Sequence, residues 1–203
     1  MAGPGSRRFL ILHGWQNRRP PSHWQWQLAE ALRAEAEPVL YPQLPDPDRP
    51  SPTAWRELVR AELGQLGAGE RIVIAHSLAV LVWLDLAPAL TAAERVDRVL
   101  LVSPPSREVL RSHVEVAAFA DIPIDPVGVG AAAATTRLVG SDDDPYCPGG
   151  ADVEYAALRL DTDVLSGAGH LDTEAGYGVW PAVLAWCHDP RTRLTSRAEH
   201  GMT

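Results

Sequence analysis

A serine, an aspartate and a histidine follow three separate apolar segments of the chain, in an order that would support nucleophilic chemistry. Ser77, Asp144 and His170 each come shortly after a run of residues typical of a buried β-strand. A serine hydroxyl barely ionises near neutral pH, so it attacks a carbonyl only when a neighbouring imidazole accepts its proton. A carboxylate can orient that imidazole and stabilise its charged form. We therefore predict that the three side chains converge.

The serine lies in the segment Ala75-His76-Ser77-Leu78-Ala79, between a predicted strand and a predicted helix. A nucleophile on such a sharp turn is held in a strained conformation with its oxygen exposed. The residues two before and two after it must be small, and alanine occupies both positions where glycine is usual. The alternative interpretation is a serine that caps a buried helix. His76 points away from the serine, and we assign it to the substrate-binding residues.

A second segment, His13-Gly14-Trp15, follows the first predicted strand. Acyl transfer needs two backbone N–H donors aimed at the oxygen that becomes negative. We predict that these are the N–H groups of Trp15 and Leu78, with Gly14 allowing the loop to turn inward. His13 is assigned to shaping this loop, and a buried histidine beside a turn glycine is the alternative. The residues assigned to substrate binding are His13, Gly14, Trp15, His76 and Phe119.

Three consecutive aspartates at 142–144 end the fifth predicted strand. A solvated charge run and a weak cation site are the alternatives, but the further oxygen ligands that a cation site needs are missing. We predict that Asp144 orients the histidine, with Asp143 as the fallback. His170 follows the glycine-rich segment 166–169, which would swing the imidazole over the sheet. A solvated loop histidine is the alternative there.

Short apolar runs alternate with amphipathic segments along the whole chain. Strands are predicted at 9–12, 39–41, 71–75, 99–102, 136–139 and 163–165, and helices at 23–36, from a cap at 51 or 53 to about 66, at 78–90, 106–119, 152–158 and 176–187. This alternation predicts an α/β fold, a three-layer α/β/α core around a mostly parallel six-stranded sheet. The strand order 2-1-3-4-5-6 would bring the Trp15 and Leu78 donors together.

The length of 203 residues predicts one domain over 1–190, with a frayed tail over 191–203. The stretch 120–134 has no clear period and is interpreted as a loop with the entry to a strand. The segment of about 103–135 is too short for a full cap domain. An apolar acyl pocket is predicted among its side chains and those near Trp15. The candidate residues are Trp15, Trp24, Val109, Val114, Phe119 and Ile122.

Composition excludes several classes of function. The net charge of -8 argues against nucleic acid and anionic membranes as partners. All basic residues are arginine, which excludes lysine Schiff-base chemistry and a P-loop. No apolar run approaches the roughly 20 residues of a membrane span. The apolar run near the N-terminus is too short for a signal peptide, so we expect a cytoplasmic protein. We also expect a monomer or a weak homo-oligomer.

We expect a small-molecule acyl substrate, no metal and no cofactor. The two cysteines, Cys147 and Cys187, show no metal-ligand spacing. A disulfide between them and two reduced, partly buried thiols are the alternatives, and we favour the thiols.

These motifs and their spacing resemble the small α/β-hydrolases typified by retinoblastoma-binding protein 9. The resemblance covers most of residues 9–187. It rests on the segments His13-Gly14-Trp15 with Trp24 and Trp26, Ala75-His76-Ser77-Leu78, Ser141-Asp142-Asp143-Asp144-Pro145 and Gly169-His170. The chain departs from the family at Ala75, where glycine is usual, and at Ala79, which is often glycine. No L-x-C-x-E segment occurs, so the protein-binding activity behind the family name is not carried over.

The resemblance implies a hydrolase core with a minimal cap or none, a triad of Ser77, Asp144 and His170, and activity on model esters. Three functions are compatible with these residues. The first is a serine hydrolase that cleaves a carboxylic ester or thioester through an acyl-enzyme. The second is an acyltransferase, thioesterase or cyclase that uses the same triad on a biosynthetic intermediate. The third, which we favour least, is a non-catalytic binding protein on a hydrolase scaffold.

Overall fold

A six-stranded parallel sheet forms the centre of the computed structural model, which describes residues 7–197. Its strands are β1 (Arg7–Leu12), β2 (Val39–Leu40), β3 (Glu70–His76), β4 (Val96–Val102), β5 (Ala133–Ser141) and β6 (Asp161–Leu165). They lie in the order β2-β1-β3-β4-β5-β6, and every neighbouring pair is parallel. The predicted order is confirmed. It places the ends of β1 and β3 side by side.

Within residues 7–197, seven α-helices connect and flank the strands. They are α1 (Trp24–Ala34), α2 (Pro52–Gln65), α3 (Leu78–Leu86), α4 (Arg107–Ser112), α5 (Pro126–Ala132), α6 (Ala151–Glu154) and α7 (Pro181–His188). Short 3-10 helices follow α3, α4 and α6 at Ala87–Ala89, Ala117–Asp121 and Ala156–Leu158. Within the described residues, each connection between consecutive strands therefore contains a helix, as is usual between parallel strands.

Side chains alternate between two cores along the strands. In β1, Phe9 and Ile11 contact the core under α1 and α7, whereas Leu10 and Leu12 contact the core under α2 and α3. This period of two is what a sheet covered on both faces demands. The nearly all-apolar α3 is fully covered, because eight of its nine residues are buried. The predicted three-layer α/β/α fold is confirmed.

The segment predicted as a loop over 120–134 differs from the structure, since it contains α5. Asp125 caps this helix by accepting a hydrogen bond from the Val127 N–H at 3.0 Å, and Pro126 begins it. Both are ordinary helix-start signals, which the alanines and glycines that follow obscured. The helix predicted at 106–119 is also shorter, because α4 ends at Ser112 and a 3-10 turn follows at Ala117–Asp121. No large cap covers the described part of the sheet.

The C-terminal segment is packed where the sequence predicts a frayed tail. Leu194 is buried, and Arg193 forms ion pairs with Asp161 and Asp163 at 2.6 Å each. The frayed-tail prediction is therefore wrong for residues 191–197, because these side chains find partners on β6. The rest of the predicted tail, residues 198–203, lies outside the described residues, as do residues 1–6. Within 7–197, no helix is long and apolar enough to cross a membrane.

Candidate active site

Ser77, His170 and Asp144 meet at the carboxyl end of the sheet. The Nε2 atom of His170 lies 2.9 Å from the Oγ atom of Ser77. On the other side of the ring, Nδ1 lies 2.9 Å and 3.0 Å from the two carboxylate oxygens of Asp144. His170 is 8% exposed and Asp144 is 2% exposed, so the carboxylate is shielded from water. These contacts form one continuous chain of hydrogen bonds from carboxylate to hydroxyl.

The turn at Ser77 is strained. Its φ of 56° and ψ of -125° are unusual for a residue other than glycine. The Ser77 N–H donates to the carbonyl of Val102 at 2.8 Å, which continues the hydrogen bonding between β3 and β4 into the turn. Its side chain makes no capping hydrogen bond to α3, so the alternative of a capping serine does not describe the structure. The hydroxyl is free to contact His170.

Gly14 lies against the serine. A Cβ atom built on Gly14 would stand 2.7 Å from the Ser77 Cβ, closer than real Cβ atoms approach, and 3.1 Å from its Oγ, which is also a tight contact. The loop is held in this position because the Gln16 N–H donates to the carbonyl of Pro47 at 2.8 Å and the Trp15 Nε1–H donates to the carbonyl of Asp48 at 3.0 Å.

Helix α3 presents its first N–H groups at the same place. Leu78 is its first residue, and first-turn N–H groups have no acceptor within their own helix. The segment after β1 and the start of α3 therefore both border the reactive hydroxyl. The pairing of the Trp15 and Leu78 N–H groups on one oxygen stays a prediction.

His13 shapes the loop and does not line the cavity beside Ser77. It is fully buried, and its Nε2 accepts a hydrogen bond from the Leu44 N–H at 2.9 Å. The proton of the neutral ring therefore resides on Nδ1, which donates to the carbonyl of Gly14 at 2.9 Å. Burial lowers the pKa of His13 to about 4, so the ring is neutral at pH 7. The assignment to loop shaping fits this geometry, whereas direct substrate contact does not.

His76 contacts the backbone of the histidine that faces Ser77. Its Nε2–H donates to the carbonyl of His170 at 3.0 Å, and the two rings lie 5.1 Å apart. Burial, reinforced by the neighbouring histidines, holds the pKa of His76 well below its ordinary value. The ring also borders the cavity, and its assignment to substrate binding stays a prediction.

A cavity of about 360 Å³ opens above Ser77. One wall is apolar and comes from the start of α3 and the α4 region. Its residues are Leu78, Pro105, Val109, Leu110 and Val116. Other lining residues are polar or charged, and they are Asn17, Arg18, Asp172, Thr173 and Glu174. The cavity therefore combines an apolar wall with polar groups of both charges.

Phe119 does not line the cavity, contrary to its predicted place in the substrate pocket. It is fully buried and packs against Trp55 with ring centroids 5.8 Å apart, so it belongs to the core and does not line the cavity. Trp24 and Ile122 are also buried outside the lining, and Val114 is 84% exposed. Of the predicted acyl-pocket residues, Trp15 and Val109 line the cavity. The split of the predicted helix into α4 and a 3-10 turn changes which side chains face inward.

A comparison with known proteins identifies the family of this chain. The model of a family described as serine hydrolase matches residues 9–188. The chain belongs to the serine hydrolase family. No curated protein sequence gives a significant match.

Solved structures share the fold of this serine hydrolase at low identity. The ydeN gene product of B. subtilis gives a TM-score of 0.77 at 19% identity, over 89% of this chain and 95% of that one. A YdeN-like hydrolase of Pectobacterium atrosepticum gives 0.69 at 19% identity, over 90% of each chain. The esterase domain of a Rhodothermus marinus protein gives 0.61 at 15% identity, over 90% of this chain and 86% of that one.

Tyr146 and His23 line the cavity of this serine hydrolase, although the sequence analysis does not assign them to the site. The Tyr146 ring lies 4.4 Å from the His170 ring, and its N–H donates to Asp144 Oδ1 at 2.9 Å. His23 caps α1 with its Nδ1 and contacts the His76 ring edge to face, with centroids 5.3 Å apart, and burial lowers the pKa of His23 to about 4. The only available signal for His23 was its place before an amphipathic helix.

Neither cysteine belongs to the site. Cys147 and Cys187 are free and buried, and desolvation raises the pKa of each thiol to about 12. Both are therefore poor nucleophiles at neutral pH. Within residues 7–197, no group of three or more histidine, cysteine or acidic side chains is arranged to hold a metal ion.

Proposed function

We propose that this serine hydrolase cleaves carboxylic esters through an acyl-enzyme formed on Ser77. The observation that carries the proposal is the unbroken hydrogen-bond chain from Asp144 through His170 to the Ser77 hydroxyl. Each member has the partner that its role requires, which a non-catalytic scaffold has no need to preserve. We further propose the retinoblastoma-binding protein 9 type of family member, on the strength of the sequence motifs given above.

In the first half of the reaction, His170 Nε2 takes the Ser77 proton as Oγ bonds to the ester carbonyl carbon. The imidazolium then gives this proton to the departing alkoxide, and the carbon–oxygen bond of the ester breaks. In the second half, His170 takes a proton from water as the water oxygen bonds to the acyl carbon. The bond between this carbon and Ser77 Oγ then breaks, the imidazolium returns its proton to Oγ, and the acid leaves. The Asp144 carboxylate stabilises the imidazolium in both halves.

The carbonyl oxygen becomes negative in both tetrahedral intermediates. We propose that the Trp15 and Leu78 N–H groups donate to it. The supporting observations are the contact distance between Gly14 and Ser77 and the position of Leu78 at the first turn of α3. At a helix N-terminus the macrodipole adds favourable interaction with negative charge.

The cavity supports an acyl group of short to medium length. Its apolar wall, which includes Val109 and Leu110, would contact the hydrocarbon of an acyl group held in this cavity of about 360 Å³. The esterase domain from Rhodothermus marinus and carboxylesterases from Nitrososphaera gargensis share the fold, which is compatible with ester chemistry.

A fluorophosphonate probe tests the proposal directly, because it labels only an activated serine. We expect labelling of the native protein and turnover of p-nitrophenyl acetate, both abolished in Ser77→Ala. Ser103→Ala is the matched control, since Ser103 is also buried at a strand end with a positive φ of 46° but lies outside the cavity. Full labelling of Ser77→Ala would overturn the assignment, and absence of labelling and turnover in the native protein would favour the binding-scaffold alternative.

A further inference from the structure

The acidic turn, defined as residues 141–144, holds the backbone of the histidine loop, defined as residues 166–172. Three consecutive N–H groups of the loop donate to three consecutive side chains of the turn. Gly167 donates to Asp142 Oδ1 at 2.8 Å, Ala168 to Ser141 Oγ at 2.9 Å, and Gly169 to Asp143 Oδ1 at 2.7 Å. Together with the contact between Asp144 and His170, every side chain of the turn therefore contacts the loop.

The histidine loop needs this support because Leu171 is held in a strained backbone conformation beside His170. Gly167, Gly169 and Leu171 have φ values of 62°, 56° and 52°. These three alternate residues lie in the left-handed region of backbone conformation, which leucine, unlike glycine, does not favour. Such conformations persist only where surrounding contacts over-determine them. A Cβ on Gly169 would also stand 2.9 Å from the Ala175 Cβ, so glycine is required there.

The other side of the loop is fixed through its carbonyl groups. The His170 carbonyl accepts the hydrogen bond from His76, and the Leu171 carbonyl accepts one from Trp24 Nε1–H at 2.7 Å. The backbone on both sides of the imidazole is thus anchored, by the acidic turn before it and by buried rings after it. The ring can then reach Ser77 and Asp144 together with little freedom to move.

We propose that Ser141, Asp142 and Asp143 are positioning residues for His170, and that the turn sets the distance of its imidazole from Ser77. The proposal rests on the proposed esterase function, in which His170 is the base. It also gives a role to the two aspartates that do not contact the imidazole. Asp143, the fallback candidate for the orienting acid, acts instead on the backbone that carries the base.

Asp143 is the most informative position. Its Oδ1 atom accepts both the Gly169 N–H and the Ser141 hydroxyl at 2.6 Å. These two hydrogen bonds lower its pKa, so the carboxylate is ionised at neutral pH and its hydrogen bonds are charge-assisted. Asparagine at this position keeps an oxygen acceptor for Gly169 without the charge, whereas alanine removes the acceptor.

The experiment compares Asp143→Ala, Asp143→Asn and the control Asp152→Ala, which removes an exposed acid on the nearby helix α6. For p-nitrophenyl acetate we expect kcat of Asp143→Ala to fall about 10- to 100-fold, because misplacement of a catalytic group by about 1 Å costs that much. KM should change less than about twofold, since the cavity wall is untouched. Asp143→Asn should recover kcat to within about threefold of the native value.

A second readout does not depend on turnover. The Nδ1 proton of His170, held by Asp144, should give a downfield proton NMR signal that disappears in His170→Gln. We expect the signal in the native protein, Asp143→Asn and Asp152→Ala, and its loss or broadening in Asp143→Ala. A normal signal and a native kcat in Asp143→Ala would overturn the positioning role. Absence of native turnover would overturn the esterase function, whereas the NMR comparison would still decide whether the turn positions the imidazole.

Discussion

Substitution of Gly14 by alanine should disable the enzyme without unfolding it. The added Cβ would stand 2.7 Å from the Ser77 Cβ and 3.1 Å from its Oγ, whereas ordinary contact begins at 3.4 Å. Since Gly14 does not adopt the left-handed conformation, alanine fits its backbone, and the perturbation is steric alone. The serine cannot retreat freely, because its N–H is bonded to Val102 and its side chain to His170.

The size of the effect follows from the missing space. Loop and serine must separate by roughly 0.7 Å to restore ordinary contact, and a displacement near 1 Å at a reacting group costs about 100-fold in rate. The separation would also displace the Trp15 N–H, which we propose as a donor to the carbonyl oxygen. We therefore expect kcat/KM for p-nitrophenyl acetate to fall about 100-fold in Gly14→Ala. Overpacking should cost about 1–3 kcal/mol of stability, so the protein stays folded.

The matched control is Gly64→Ala, because a Cβ on Gly64 meets nothing within 4 Å inside helix α2. That variant should keep native kinetics and gain about 0.5–1 kcal/mol, as alanine replaces glycine in a helix. Urea unfolding of both variants, read with kcat/KM and fluorophosphonate labelling, separates folding from chemistry. Native kinetics in a folded Gly14→Ala would refute the close approach of the loop to the serine.

Three further outcomes follow from the same structure. Asp144→Asn should lower kcat by about 10⁴-fold, because an amide favours the wrong tautomer of His170; a loss under tenfold in the kinetic assay would contradict this role. Val109→Phe fills the apolar wall, so the ratio of kcat/KM for p-nitrophenyl hexanoate over acetate should fall at least tenfold, and an unchanged ratio would place the acyl group elsewhere. Burial lowers the pKa of His23 to about 4, so the unfolded chain binds the proton between pH 6.5 and 4 and the folded protein does not. The free energy of unfolding should therefore fall as pH drops through this window, by up to about 3 kcal/mol from His23. In urea-unfolding experiments, the free energy of unfolding of His23→Asn should depend less steeply on pH than that of the native protein.

The sheet was predictable because its signal is local. Buried parallel strands appear as short apolar runs such as 9–12 and 99–102, and alternation with helices specifies the layers. The contacts among Ser77, Asp144 and His170 followed from the same reasoning, since parallel strands deliver their carboxyl ends to one edge. The sequence could place these residues at one edge without any knowledge of side-chain packing.

The parts that were missed depend on tertiary contacts. Phe119 lies in the core because the chain turns between α4 and the next 3-10 helix, a bend that no residue type announces. Residues 191–197 show no periodicity, yet Arg193 and Leu194 are fixed by acids on β6. Tyr146 lines the cavity from the segment between β5 and α6, and His23 lines it from the residue that precedes α1. Hydrophobic period cannot reveal contacts of this kind, because they are specific to one folded arrangement.

The alanines at the nucleophile turn show which close contacts the fold requires. Ala75 and Ala79 are fully buried in the core shared by α2 and α3, and the strained Ser77 between them is held by the ladder bond to Val102. The structure accommodates their methyl groups in this core. The close approach that does exclude a side chain lies across the turn, at Gly14. In this chain, therefore, the glycine that the nucleophile depends on is Gly14 in the neighbouring loop. A side chain at position 14 should lower activity, whereas the native protein already accommodates alanine at positions 75 and 79.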